Sequence, residues 1–407
     1  MTNDAQRRRE FLILIGVLGM LTALAPLSID MYLPAMPGIA EYFAARPSHV
    51  QYSLSLFFAG LAAGQLTYGP LSDRYGRRPI LFFGLGLYLL ASAACAMSES
   101  VGMLIAARAV QGFGAAAGPV MSRAAVRDLF EGRRAASVIS FVVMVMAAAP
   151  LVAPVIGGFI LAVGQWWDIF WLLCVYAVVC IGTLVLLLSE PHPPHRRTRD
   201  RSLPSQYVGY LSLLKRVPIV LHLACGGLMF GALFSYVAAS SFVYITQFGV
   251  SESTFGFYFG ANVIAMLIGT ASNGRLVMRF GYHPLLGVAV ANTLACSLVL
   301  LATTATGFGG FWGVAVPLFF LLSTVGVAGA NTVAGLLDLA PTSAGAASAL
   351  FGVAQFTCGA VASWFVGVLG GDAAAMATVM SLAAGGAAVS YLLIHRAQPV
   401  SEPATDG

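Results

Sequence analysis

Residues 69–76 read GPLSDRYG, and residues 274–281 read GRLVMRFG. The two octapeptides share the pattern G-x-L-x-x-R-x-G, and each follows the second apolar run of its half of the chain. Chance could produce one such match, but the matching position indicates an internal duplication. The sequence therefore predicts two related halves built from apolar segments.

The composition of the chain is that of a membrane protein. Of its 407 residues, 59% are hydrophobic and only 9% are charged, and the mean hydropathy is +0.86. So few charges cannot cover the surface of a soluble protein of this length. The runs are continuously apolar rather than alternating, which argues against a β-barrel. We therefore expect an all-α integral membrane protein.

Apolar runs of about 20 residues have the length that a helix needs to cross a bilayer. Twelve runs are predicted to span the membrane, at residues 11–33, 50–69, 80–97, 101–122, 136–163, 167–189, 218–246, 254–273, 284–304, 311–336, 343–369 and 373–394. The polar stretch 190–206 divides them six and six, and we expect it to be a solvated linker. The predicted units are an N-terminal six-helix bundle (1–189), a cytoplasmic linker (190–217), and a C-terminal six-helix bundle with a short cytoplasmic tail (218–407).

The basic residues predict the orientation of the spans. With the N-terminus in the cytoplasm, every Lys and Arg except Arg46 and Arg108 falls on the cytoplasmic side. Both termini are therefore predicted to be cytoplasmic. The net charge of +5 is then a topology signal rather than a sign of nucleic-acid binding. Three arginines at positions 7–9 imitate a signal peptide, but the apolar run continues past Pro26, so we expect an uncleaved first span.

Neither the cysteines nor the lone lysine indicates a cofactor. The six cysteines all lie in apolar runs without a CxxC pair, so we expect neither disulfides nor metal ligands. Lys215 is the one lysine, and it does not belong to a phosphate-binding GxxxxGK[ST] loop. We therefore expect no cofactor, no metal site and no ATPase in this chain.

Residues 69–79, GPLSDRYGRRP, resemble the signature loop between spans two and three of the major facilitator superfamily. The usual form of that loop is G-x-L-x-D-R-x-G-R-[RK]. The resemblance implies a conformational-switch loop made of Gly69, Asp73, Arg74, Gly76, Arg77 and Arg78. Its glycines allow tight turns, and its charges can form ion pairs that hold or release neighbouring helices. The second octapeptide has Met278 where the first has Asp73, so a latch would have its acid in the first half.

Residues 104–118, LIAARAVQGFGAAAG, resemble the span-four motif of the same superfamily. Arg108 is the one basic residue inside a predicted span, which makes it a functional candidate. The alternative is a structural cation that binds carbonyl groups.

Residues 149–159, APLVAPVIGGF, resemble the span-five motif of drug:proton antiporters, although Ala153 replaces the usual glycine. The prolines and glycines of the motif fall at helical spacing, which places them on one face that can bend or seal against a neighbour. The residues of this predicted antiporter-motif helix are Pro150, Pro154, Gly157 and Gly158. An ordinary kinked helix is the alternative.

This span-five motif, together with LSIDMYLPAMP at 27–37 and SSFVYITQFGVSESTFGFYFG at 240–260, resembles the bicyclomycin- and chloramphenicol-resistance (Bcr/CflA) group of multidrug efflux transporters. The resemblance covers nearly the whole chain outside the tails and the linker. It implies a transporter rather than an enzyme, one that exports hydrophobic or amphipathic drugs by alternating access. Protons would drive the export, and the protein would be a monomer that crosses the bacterial inner (plasma) membrane several times.

Asp30 lies in the outer half of the first predicted span, where a carboxylate is costly. Arg108 lies about seven residues, or roughly 10 Å, into span four, so we expect the two groups at a similar depth. Burial favours the neutral carboxyl and a nearby cation favours the carboxylate. A substrate that alters this balance would move a proton, so Asp30 and Arg108 are the predicted proton-coupling residues. The alternative is that Asp30 caps a helix break before Pro34.

A multidrug cavity is expected to be broad and apolar. Its candidate residues are Met31, Tyr32, Gln111, Met144, Phe230, Phe234, Tyr236, Tyr258, Asn262, Asn331 and Phe356. For each of them, ordinary packing is the alternative role. A carrier or facilitator of a small endogenous metabolite is the rival function, and it would require more polar groups in the cavity.

Overall fold

The computed structural model describes residues 2–130, 132–187, 190–191 and 203–397, and within these ranges all regular structure is helical. The helices of the first half are α1 (Thr2–Asp30), α2 (Met36–Tyr42), α3 (Pro47–Tyr75), α4 (Arg77–Ala96), α5 (Val101–Ala115), α6 (Ala117–Leu129), α7 (Gly132–Val163) and α8 (Trp166–Leu187). Helix α9 (Leu203–Leu214) follows. Those of the second half are α10 (Val217–Ser241), α11 (Glu252–Phe280), α12 (Tyr282–Thr306), α13 (Gly310–Leu339), α14 (Ala344–Val368) and α15 (Ala373–Ala397).

Eleven helical segments of the described chain are long and apolar enough to cross a membrane. They correspond to eleven of the twelve predicted runs. The remaining run, 50–69, lies inside α3, which has 29 residues but is interrupted by polar side chains. Gln51, Ser55 and Gln65 of α3 are buried, so they face other helices rather than lipid. Composition alone therefore does not mark α3 as a span.

The two halves meet along two seams that are related by the duplication. The second long helix of the first half, α3, packs on the fifth of the second half, α14. In the same way the fifth long helix of the first half, α7, packs on the second of the second half, α11. The duplication indicated by the octapeptides therefore extends to the packing, because the second long helix of each half contacts the fifth long helix of the other half.

The last glycine of each octapeptide has a conformation that explains the repeat. Gly76 has φ 102° and ends α3, while Gly281 has φ 76° and ends α11. The amide of Gly76 donates to Ser72, and the amide of Gly281 donates to Val277. Glycine adopts positive φ without the penalty that a side chain imposes, so each octapeptide closes one helix and begins the next.

The predicted linker is in part a helix. Residues 192–202 lie outside the described residues, but 203–214 form α9, which packs against α3, α10 and α14. Leu213 of α9 is only 4% exposed and packs with Ile219 and Leu350. The predicted solvated stretch ended at 206 and did not include the rest of this helix, where Leu213 is buried against the second half.

Alternate loops lie at opposite ends of the bundle. We call the end with Asp73, Arg77 and Arg127 the basic end, and the end with the loops after α2, α4 and α7 the far end. A cavity of about 710 Å³ opens between the halves at the basic end.

Candidate functional site

The basic-end cavity is walled by both halves and by α9. Gln65 and Asp73 line it from α3, Arg123 and Arg127 from α6, and Tyr210 from α9. The opposite wall consists mainly of small residues at the start of α14, from Ala344 to Ala349. The cavity therefore combines a charged wall with a nearly apolar one.

An aromatic cluster lies deeper between the halves. The ring of Phe58 on α3 lies 4.3 Å from the ring of Phe234 and 6.4 Å from that of Phe356. Phe234 also contacts Phe230, at 6.2 Å. Phe58 precedes Gln65 by seven residues, which is two helical turns or roughly 10 Å. The cluster therefore lies about two helical turns beyond Gln65, on the far-end side of the cavity.

Asp30 lies on the far side of this cluster. It is the last residue of α1 and only 5% exposed, and it lies near Tyr236 of α10. Tyr236 is two residues beyond Phe234, accepts a 2.9 Å hydrogen bond from Asn262, and stacks on Phe259 at 5.4 Å. The buried carboxyl of the first half thus faces a polar pair of the second half.

Arg108 is fully buried and makes its contacts inside the first half. Its Nη1 donates to the Ser28 carbonyl at 3.0 Å and to the Gln111 side chain at 2.6 Å. The guanidinium also lies 4.1 Å from the ring of Phe57 and 4.6 Å from that of Tyr32. In the described part of the chain the two ion pairs both involve Arg77, so Arg108 and Asp30 do not form one. Carbonyl and aromatic groups, rather than a carboxylate, stabilise this cation.

The antiporter-motif helix forms a seam at the far end. A side chain at Gly157 would collide with the Met31 carbonyl, and one at Gly158 would collide with the backbone of Glu252 on α11. On the other side of the seam, a side chain at Gly256 would strike the backbone of Val155. Pro150 and Pro154 lie within α7 without ending it. The glycines therefore allow α7 to touch α1 and α11 at backbone distance.

The α3–α14 seam is also closed at the far end. Gln51 donates to the Gly371 carbonyl at 3.1 Å, and Ser55 donates to the Ala360 carbonyl at 2.6 Å. The described conformation is therefore open at the basic end and closed at the far end.

The predicted switch loop is held by acids on three different elements. Arg77 binds Asp73 at 2.6 Å and Asp128 of α6 at 2.9 Å. The Glu190 carboxylate accepts from the backbone amides of Arg77 and Arg78, at 2.9 and 3.1 Å. A carboxylate at a helix N-terminus is stabilised by the free amides and the dipole of the helix. The loop thus ties α3, α4, α6 and the start of the linker together.

The family model for the Major Facilitator Superfamily matches residues 18–368. The chain belongs to this superfamily. It is 36% identical over 378 residues to an uncharacterized MFS-type transporter, YdgK, of Bacillus subtilis, covering 92% of this chain and 94% of the relative. It is 33% identical over 369 residues to a bicyclomycin resistance protein homolog of Haemophilus influenzae, covering 91% and 92%.

A solved structure confirms the superfamily fold. The partially occluded inward open conformation of the xylose transporter XylE from E. coli aligns with a TM-score of 0.74 at 15% identity, covering 96% of this chain and 98% of that one. The sequence-based assignment to the superfamily is confirmed, and the Haemophilus relative agrees with the resemblance to the bicyclomycin group.

The other predicted cavity residues of this superfamily member are scattered. Met31 and Tyr32 are buried beside Arg108 and α7. Gln111 accepts a hydrogen bond from Arg108 and donates one to Ser92 at 2.8 Å. Asn331 binds Asn273 at 2.8 Å within the second half. Tyr258 stacks on Tyr244, and Met144 is 57% exposed on α7. The structure therefore brings together Phe230, Phe234 and Phe356, with Tyr236 and Asn262 next to them.

Several residues of the site were not singled out by the sequence. Phe58 completes the aromatic cluster, Asp128 and Glu190 bind Arg77, and Tyr88 binds Ser28 at 2.6 Å. Arg123 was counted only as a topology signal, yet it donates to Gln65 inside the cavity at 3.1 Å. The sequence offered one indication of a role for Asp128, namely its position next to Arg127 in RDLFEGRR, residues 127–134.

Proposed function

We propose that this superfamily member exports hydrophobic or amphipathic drugs in exchange for protons. The observation that carries the proposal is the order of groups along the seam between the halves. A cavity open at one end leads to an aromatic cluster, and a buried carboxyl without an ion-pair partner among the described residues lies beyond it. The relative named as a bicyclomycin resistance protein homolog supports a drug as the cargo.

The seams give alternating access a structural basis. The far-end contacts of Gln51, Ser55 and Gly158 would break, and the two halves would rock so that the basic end closes. The aromatic cluster joins residues of both halves, so a drug bound there would be exposed to each side in turn. Apolar rings accept molecules of varied shape because their attraction is not directional.

Asp30 is the proposed proton carrier. A buried carboxyl without a counter-ion is stable in its neutral form, because an isolated charge in an apolar medium is expensive. Asp30 would take up its proton from the far side while that end is open, and it would release the proton toward the basic end when a drug and water enter the cavity. Arg108 would hold the end of α1 in place through Ser28, which makes it a positioning residue for Asp30.

The topology of the proposed transporter follows the sequence prediction. We propose α3 as a twelfth span, the division into bundles 1–189 and 218–407, and both termini on the cytoplasmic side, which is then the basic end. The protein would act as a monomer in the bacterial inner (plasma) membrane without a cofactor, driven by the proton gradient. A metabolite carrier is less favoured, because the cluster that lies between the halves beyond the cavity is aromatic rather than polar.

Drug uptake into inside-out vesicles tests the proposal. Vesicles with the protein should accumulate chloramphenicol when their interior is acidic, and an uncoupler should abolish the accumulation. Accumulation that survives the uncoupler would contradict proton coupling. Accumulation of a sugar or an amino acid but no drug would favour the metabolite carrier.

A further inference from the structure

The charges that line the basic-end cavity are not balanced. Its lining includes Asp73, Arg77, Arg123 and Arg127. Asp73 pairs with Arg77 at 2.6 Å, and Arg77 also pairs with Asp128, which lies outside the lining. Among the described residues neither Arg123 nor Arg127 takes part in an ion pair. The cavity therefore presents, on one wall, two cations that take part in no ion pair among the described residues.

Arg127 reaches across the cavity to the first turn of α14. A side-chain carbon at Gly345 would lie 3.0 Å from its guanidinium nitrogen. That turn contains no acidic residue, and no side chain caps the helix. The N-terminus of a helix carries partial positive charge, so a guanidinium and a positive helix end face each other. An anion between them would relieve this repulsion.

The remaining polar group of the cavity does not change the balance. Burial, followed by the nearby Asp73 carboxylate, raises the pKa of Tyr210 on α9. Tyr210 therefore stays a neutral hydroxyl that can donate to an acceptor. Asp30 cannot compensate the arginines either, because it lies beyond the aromatic cluster rather than in the lining.

We propose that the cavity binds amphipathic compounds with an acidic group in preference to cationic ones, with the anion between Arg123, Arg127 and the first turn of α14. The apolar part of the compound would point toward the aromatic cluster around Phe234. This inference names the substrate class of the proposed exporter and rests on that function. Neutral drugs would still bind through the apolar wall, and lipophilic cations would be repelled.

Two ions of the same shape and opposite charge test the preference. Tetraphenylborate and tetraphenylphosphonium differ at the central atom, so their apolar contacts are alike. Binding of each to the purified full chain in neutral-lipid nanodiscs should favour the anion. Arg127→Gln should lower the affinity for tetraphenylborate by about tenfold, the usual scale for removing a close charge. The same substitution should raise the affinity for tetraphenylphosphonium. Arg127→Lys should restore most of the preference.

A matched control separates local from general charge effects. Arg275→Gln removes the same charge near the basic end, but Arg275 does not line the cavity, so binding should stay within about twofold. Equal binding of both ions by the wild type, or an equal effect of Arg275→Gln, would overturn the proposal. Saturable displacement of tetraphenylborate by phosphatidylglycerol would assign the site to a lipid headgroup and would also overturn it.

The binding experiment and the drug-accumulation experiment can fail separately. Loss of the anion preference with intact chloramphenicol accumulation would refute the substrate class alone. Absence of any accumulation with the anion preference intact would refute the export and leave the anion site standing.

Discussion

Arg108 is bound to α1 through the carbonyl of Ser28, 3.0 Å from its Nη1, and not through the carboxylate of Asp30 two residues later. The same nitrogen donates to Gln111, and the rings of Phe57 and Tyr32 cover the guanidinium. The arginine therefore fixes the end of α1 without neutralising its acid. This arrangement leaves Asp30 without an ion pair to Arg108, as the proposed role in proton transfer requires.

Arg108→Lys should impair transport although the charge is kept. A lysine ammonium could donate to both Ser28 and Gln111 as Nη1 does, but it lacks the planar guanidinium that lies over the rings of Phe57 and Tyr32. We expect a loss of about 2 kcal/mol of stability, the scale for a desolvated contact between a cation and an aromatic ring. The unfolding temperature and the rate of transport into vesicles should both fall, whereas Arg275→Lys should change neither quantity. Wild-type values for both in Arg108→Lys would refute this role of the guanidinium.

Asp128 should matter more for stability than Asp73, although only Asp73 belongs to the sequence motif. Both carboxylates bind Arg77, but the side chain of Asp73 is 45% exposed and that of Asp128 only 13%. Exposed ion pairs contribute little because water and salt screen them, and breaking a buried pair leaves a charge unsatisfied. Asp128→Asn should therefore lower the unfolding temperature further than Asp73→Asn does. The reverse order would show that burial does not rank the two contacts.

Gly158→Ala should open the far end. The added carbon would meet the backbone of Glu252, which cannot move aside as a flexible side chain can. The state closed at the far end should therefore become less populated. Spin labels at Met97 and Phe308, both exposed at the far end in different halves, should move apart. Gly182→Ala is the control, because Gly182 has open space around it, and an unchanged distance in Gly158→Ala would contradict the seam.

Phe234→Ala should weaken the binding of apolar drugs. Its ring contacts Phe58, Phe230 and Phe356, so its removal takes away the centre of the cluster. Loss of one buried aromatic side chain costs on the order of 2 kcal/mol in apolar contact, which is about thirtyfold in affinity. Phe257→Ala is a matched control, because Phe257 is 67% exposed on α11. Equal drug affinity of Phe234→Ala and the wild type would exclude the cluster from the binding site.

Local sequence patterns predicted the superfamily and most helices, because long apolar runs and glycine-rich turns are encoded by neighbouring residues. The patterns also placed Gly76 and Gly158 at sites where helices turn or meet. They did not reveal Asp128 or Phe58, because each acts through residues distant in the chain. The polar interior of α3 and the helix α9 between the two halves depended on burial, which single-sequence periodicity does not report.

The proton path through Asp30 is the central claim, and proton release from inside-out vesicles tests it most directly. The vesicles hold an imposed gradient with an acidic interior, and chloramphenicol is added to the wild type, to Asp30→Asn and to Glu99→Gln, whose carboxyl lies in a far-end loop. We predict that the drug dissipates the gradient with the wild type and Glu99→Gln, whereas Asp30→Asn binds the drug without releasing protons. Equal proton release by Asp30→Asn and the wild type would contradict the account.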